Sequence, residues 1–167
     1  MFRTRILCLL PMLWCAAAAD AAAQSALSAS ATISTNVTSL ARLSISSNTL
    51  AFDDADPDLV PEVPASGGPL TITARSRAPR NGLVTLTVQA SDDLRSGVTL
   101  LPASLITWTG TGAGFVDGTL SRTTPQLVGS WTGSGARVGT QAYRFRNSWT
   151  HTPGVYTVTL VYTLTSP

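Results

Sequence analysis
Tyr156-Thr157-Val158-Thr159-Leu160-Val161-Tyr162-Thr163-Leu164 sets its larger apolar side chains at every second position, with threonines at 157, 159 and 163 between them. A period of two sends successive side chains to opposite faces of a pleated strand. One face, Tyr156, Val158, Leu160, Tyr162 and Leu164, is therefore built to turn inward, and the threonine face to meet water. β-Branched and aromatic residues suit that half-buried surface. Nowhere after residue 23 does an apolar spacing of three and four last for three turns, so no amphipathic helix competes.

The same pattern recurs upstream. Leu83 to Ala90 places Val84, Leu86, Val88 and Ala90 on one face and Leu83, Thr85 and Thr87 on the other. Leu27, Ala29, Ala31, Ile33 and Val37 alternate with hydroxyl and amide residues and predict a first strand over 27–37. Shorter runs predict strands at 40–45, 50–52, 70–74, 105–108, 127–131 and 142–145. Eight or nine short strands in one chain predict an all-β fold, an immunoglobulin-like antiparallel β-sandwich. A closed barrel is the other architecture that such a count allows. Residues 53–69 hold five acids and four prolines and end at Gly67-Gly68, a composition that excludes a central strand. Asn81-Gly82 predicts a type I′ hairpin. The frequent glycines from 110 to 139 predict long connections around two short strands.

The N-terminus reads differently. Arg3 and Arg5 precede an apolar run from Ile6 to Ala19, and Ala21-Ala22-Ala23 follows. That is the order of a secretory signal peptide, 1–23, with cleavage after Ala23, or after Ala21 as the other option. A secreted, periplasmic or cell-surface protein is expected, with one mature domain over 24–167. Cys8 and Cys15 leave with the signal, so packing alone must hold the mature chain. No second apolar stretch predicts a membrane segment. The mature portion has nine arginines against eight acids and no lysine, a balance unlike the basic stripe of a nucleic-acid protein. Its length lets one core bury roughly 68% of the unfolded surface.

Candidate chemistry is sparse. His151 is the single histidine and no Gly-x-Ser-x-Gly elbow is present, so neither a multi-histidine metal site nor a serine-hydrolase motif can be assembled. His151 beside Pro153-Gly154 reads as a solvated turn residue, and Asp92-Asp93 before Ser96-Gly97 as turn chemistry. A non-enzyme without cofactor is expected. Asp54, Asp56 and Asp58 form the one calcium candidate, since alternating carboxylates can converge on a hard cation. An EF-hand register would need glycine and glutamate where Leu59 and Ala65 stand. Gly110-Thr111-Gly112-Ala113-Gly114 lacks the strand-then-helix setting of a phosphate loop and reads as turns. Trp108, Trp131 and Trp149 are read as core or rim residues, with stacking on sugar rings as the alternative.

The C-terminal run Pro153-Gly154-Val155-Tyr156 through Leu164 resembles the last strand of chaperone–usher pilins, above all the spore-coat-protein-U-like group. Gly154, fourteenth from the C-terminus, matches the glycine that precedes the alternating residues in that family. Leu160, Tyr162 and Leu164 match the side chains read by a periplasmic chaperone through strand pairing. The run Leu27 to Val37 resembles a donor strand that fills a neighbouring subunit's groove. The resemblance implies self-assembly, or assembly with related subunits, by strand addition, with Leu27, Ala29, Ala31, Ile33, Val37, Leu160, Tyr162 and Leu164 at the interface. The chain departs from the family in lacking a cysteine pair after the signal and in placing Ser166 where many members have tyrosine. The competing reading is a monomeric secreted binding domain, for carbohydrate or as an adhesin, whose residues 24–38 pair within their own fold.

Overall fold
A computed structural model of the chain describes residues 31–167. The expected signal segment 1–23, Leu27 and Ala29 lie outside that range. The compact body begins at Asn36. It is all-β, with antiparallel pairing throughout and a single 3-10 turn at Ala103–Leu105 as its helical element.

Alternation builds two main sheets around one core. The larger joins β1 (Leu40–Ile45), β3 (Leu70–Arg77), β10 (Gly135–Arg146), β7 (Ile106–Thr111) and β8 (Gly118–Thr119) in that order, and β2 (Glu62–Pro64) pairs with the end of β10. The smaller has the order β11 (Leu160–Thr165), β4 (Leu83–Ala90), β9 (Gln126–Thr132). β5 (Leu94–Ser96) and β6 (Thr99–Leu101) form a separate hairpin that the sequence patterning does not reveal. Leu70, Ile72 and Ala74 from one sheet and Val84, Leu86 and Val88 from the other belong to one buried cluster. Each of those large side chains withdraws enough apolar surface to stabilise the fold by about 1.5–3 kcal/mol.

Three local features depart from the sequence expectation. Of the strand expected over 27–37, residues 27–30 lie outside the described range and residues 31–37 carry no strand, so the first described strand is β1. Asn81-Gly82 is not a type I′ hairpin, because among the described residues only glycines have positive φ and Gly82 is not one of them. β3 and β4 lie in different sheets, so the link need not match a hairpin twist. It turns instead with the Gly82 N–H donating to the Pro79 carbonyl at 2.8 Å. Finally, β10 starts seven residues before the expected Ala142. Gly139 hides that length from a period-two reading; its bare Cα is where the Phe115 ring packs.

Within 53–69, β2 is a three-residue strand ending at Pro64, at a margin where proline is tolerated. Of residues 50–52, Phe52 alone makes a bridge, to Ala65. A bulge between β4 and β9 lets consecutive Val128 and Gly129 both be buried, which strict alternation forbids.

Candidate functional site
The inward face of β11 is where packing stops short. β11 pairs with β4 through Leu160↔Ala90, Tyr162↔Val88 and Leu164↔Leu86, and among the described residues its other edge pairs with no strand. In the facing sheet β1 is also terminal among the described residues, pairing with β3. The two unpaired edges lie on the same flank. They are drawn together at one end, where Ser39 Oγ donates to the Pro167 carbonyl at 3.0 Å and Ser166 Oγ to the Arg77 carbonyl at 3.4 Å.

Toward the other end the flank opens into a cleft of about 320 Å³. Ile45, Leu50 and Phe52 form one wall, Tyr156, Val158 and Leu160 the other, and Leu70, Ile106 and Tyr143 the floor. Tyr156, Val158, Leu160, Tyr162 and Leu164 do point inward against the core, yet they stay half-buried where full burial was expected. Among the described residues no strand covers the far side of β11. Tyr156 and Val158 also precede the ladder; of 156–159 only Thr157 makes a bridge, to Arg95.

A polar knot sits under the cleft. The Tyr162 hydroxyl donates to Gln141 Oε1 at 2.6 Å, and the Tyr143 hydroxyl, 3.1 Å from the same oxygen, donates to the Tyr162 hydroxyl. Burial pushes the Tyr162 hydroxyl from 10.0 up to about 12, although its hydrogen bond with Tyr143 works in the other direction. Burial raises Tyr143 further, with the neighbouring Tyr162 adding to the effect. Gln141 is fully buried, and its Nε2 finds no acceptor among the described residues. The alternation of β10 marks Gln141 as inward-facing, but nothing in the sequence pairs it with Tyr162.

The other sequence candidates are scattered. Ala31, Ile33 and Val37 are exposed and lie outside the strands. Among the described residues no three carboxylate, imidazole or thiol groups gather as a metal site. Asp54, Asp56 and Asp58 are exposed, and Asp56 Oδ1 is used locally, accepting from the Asp58 N–H at 2.9 Å. Asp93 Oδ1 caps the Ala103 N–H at 2.9 Å, while its other oxygen meets Arg122 Nε at 3.0 Å. Asp92 pairs with Arg95 at 3.1 Å. Its carboxyl is held below the usual range, first by the Asp93 backbone N–H and then by Arg95.

His151 is in a turn, as expected, and is half-exposed: its ring lies 5.5 Å from that of Phe145, and Nδ1 is buried with no partner among the described residues. Trp108 and Trp131 are core residues, Trp108 donating from Nε1 to the Val116 carbonyl at 2.9 Å. Trp149 alone of the three is open, 69% exposed. Gly110 is inside β7 and not a turn residue, whereas Gly112 and Gly114 take positive φ in the loop that follows. No helix among the described residues is long and apolar enough to cross a membrane. Comparison with protein-family models, curated proteins and solved structures finds no match to this chain.

Proposed function
We propose that the protein is an exported, non-enzymatic structural subunit that associates by β-strand addition, as a pilin-like or coat-like surface component. In this reading the body is an immunoglobulin-like sandwich short of one strand, the strand that would follow β11. A segment from another copy supplies it. The segment is the alternating run Leu27, Ala29, Ala31, Ile33 and Val37, and a periplasmic chaperone would shield the same flank before assembly.

One observation carries the reading: the edge of β11 that is unpaired among the described residues borders an apolar cleft lined by four alternating inward side chains, Tyr156, Val158, Leu160 and Tyr162, which stay half-buried. An open edge of this kind offers unpaired main-chain groups to another chain. The apolar side chains beside it give such an added strand its register and specificity. The absence of strand structure at 31–37 fits a segment whose partner is another copy. The carbohydrate reading retains only Trp149, because Trp108 and Trp131 are spent on the core.

Deleting residues 24–38 from the mature protein tests it. The truncated body is expected to keep one cooperative unfolding transition while losing assembly into larger species in sedimentation. A synthetic peptide of residues 24–38 is expected to bind it and raise its melting temperature. Loss of cooperative unfolding that the peptide does not restore would show that the segment belongs to its own fold.

A further inference from the structure
The charged side chains of the body gather toward the two ends of β10, apart from Asp117, whose Oδ1 accepts from the Gly110 N–H at 2.7 Å opposite mid-strand Gln141. β10, twelve residues long, spans about 40 Å at roughly 3.3 Å per residue. At its Gly135 end lie Arg42, Arg75, Arg77, Arg80 and Arg137, with no Asp or Glu side chain among the described residues, although Pro167 at the end of the sequence lies there too. Arg42 stands directly opposite Arg75 in the β1–β3 register, and Arg77 follows two residues along on the same face. Like charges in direct cross-strand pairs destabilise a sheet. None of these five arginines makes an ion pair among the described residues.

The other end of β10 carries the opposite sign. Asp53, Asp54, Asp56, Asp58 and Glu62 are all exposed and without an ion pair among the described residues. Their loop is held in a fixed shape. Asn147, just past β10, donates from Nδ2 to the Ala55 carbonyl and from its backbone N–H to the Pro61 carbonyl, each at 2.8 Å. Asp92 and Asp93 share this end with their partners Arg95 and Arg122, and Arg144 and Arg146 of β10 also stand there, Arg146 directly opposite Glu62, so the end is acidic in balance and not in every residue. Screening acts over about 8 Å at physiological salt, so poles this far apart behave independently.

We propose that these ends dock on each other between successive copies of this chain, the arginine face of one body on the 53–62 loop of the next. The inference rests on the self-assembly reading for its second copy. The charge sorting chooses the direction. The flank cleft opens at the acidic end, lined by residues 45–52 and 156–160. The body receives its N-terminal segment at the arginine end, where Leu40 lies opposite Arg77. Head-to-tail stacking therefore brings the arginine end, where that segment enters, toward the cleft of the next body. A contact between two different surfaces of one molecule does not close by two-fold symmetry and grows into an open filament. Charge complementarity then sets the order of approach and the encounter rate, and strand addition the permanence.

The test uses the full mature protein in two reversed forms, R75E/R77E and D54R/D56R. All four side chains are exposed, and circular dichroism with thermal unfolding checks that each form keeps its fold. Wild-type self-association, followed by sedimentation velocity, is expected to weaken at least about tenfold between about 50 mM and about 500 mM salt. Each reversed form alone is expected to associate at least about tenfold more weakly than wild type at low salt. An equal mixture of the two is expected to recover assembly, because each then meets its complement. A wild-type protein that stays monomeric at low salt, reversed forms that assemble like wild type, or a mixture that does not recover would each overturn the docking. If deletion of 24–38 abolishes assembly while the charge reversals leave it intact, strand addition stands and this inference falls. If the reversals act and the deletion does not, the docking stands and strand addition falls.

Discussion

β4 and β11 are neighbours in one ladder with nearly the same alternation, yet they end in different environments. Val84, Leu86 and Val88 of β4 are wholly buried, while Leu160, Tyr162 and Leu164, paired with its residues, remain half-open. Period two determines which face of a strand turns inward. It does not determine how much of that face is covered, which depends on a neighbour on each side. β4 has β11 and β9 beside it; β11 has β4 and then the cleft. The same pattern thus yields a finished wall in one strand and an unfinished one in the next.

The largest effect expected from this contrast is at β4. Leu86→Ala should destabilise the mature protein by about 2–5 kcal/mol, the cost of a cavity in a closed core, read from urea unfolding. Leu160→Ala should cost less in the unassembled body, about 1–2 kcal/mol, because part of that side chain already meets water. Adding the 24–38 peptide should raise the Leu160→Ala cost toward that of Leu86→Ala. Equal costs in the free body would break the comparison.

A smaller effect is expected from the knot beneath the cleft. Tyr162→Phe removes the hydroxyl that donates to Gln141 Oε1 at 2.6 Å and should cost about 1 kcal/mol. Tyr162 also carries a pH signature. Its folded hydroxyl holds its proton up to about 12, above the 10.0 of an unperturbed tyrosine. Between those values the unfolded chain releases a proton that the folded chain keeps, so stability is full below pH 10 and falls as pH rises toward 12. The chain contains no lysine, which leaves tyrosine as the side chain titrating there. The urea midpoint should stay level from about pH 7 to 9 and drop above 10, and Tyr162→Phe should shrink that drop. A midpoint that rises through this window would contradict the buried hydroxyls.

Much of the all-β architecture is legible in residues 83–90 and 156–164, because each strand has one face against the core. What escapes the sequence has particular causes. Gly139 and Gln141 interrupt the apolar rhythm of β10, one to admit the Phe115 ring and the other to meet two tyrosine hydroxyls. Asn81-Gly82 signals a hairpin, but its chain crosses between sheets, which a local turn signal cannot report. The strand pattern at 31–37 meets no partner strand in the body, since alternation states a capacity to pair and not the chain that pairs. Of the candidate site, Leu160, Tyr162 and Leu164 can be named from the pattern. The cleft beside them cannot, because it is made by residues 45–52, far away in sequence.

The central claim is that the odd-numbered side chains of residues 27–33 from one copy lie against β11 of another. Residues 24–167 contain no cysteine, so thiols introduced into that portion report on that pairing alone. One form carries Leu160→Cys; the others carry single substitutions at Leu27, Ala29, Ala31 or Ile33, or at Ser28, Ser30 or Thr32. Each is mixed with the Leu160→Cys form under mild oxidation, and mixed disulfide dimers are measured by mass. The account predicts dimers from at least one odd position and none above background from the even ones, because alternate side chains of an added strand face opposite ways. Equal cross-linking from both sets, or none from any position, would contradict it.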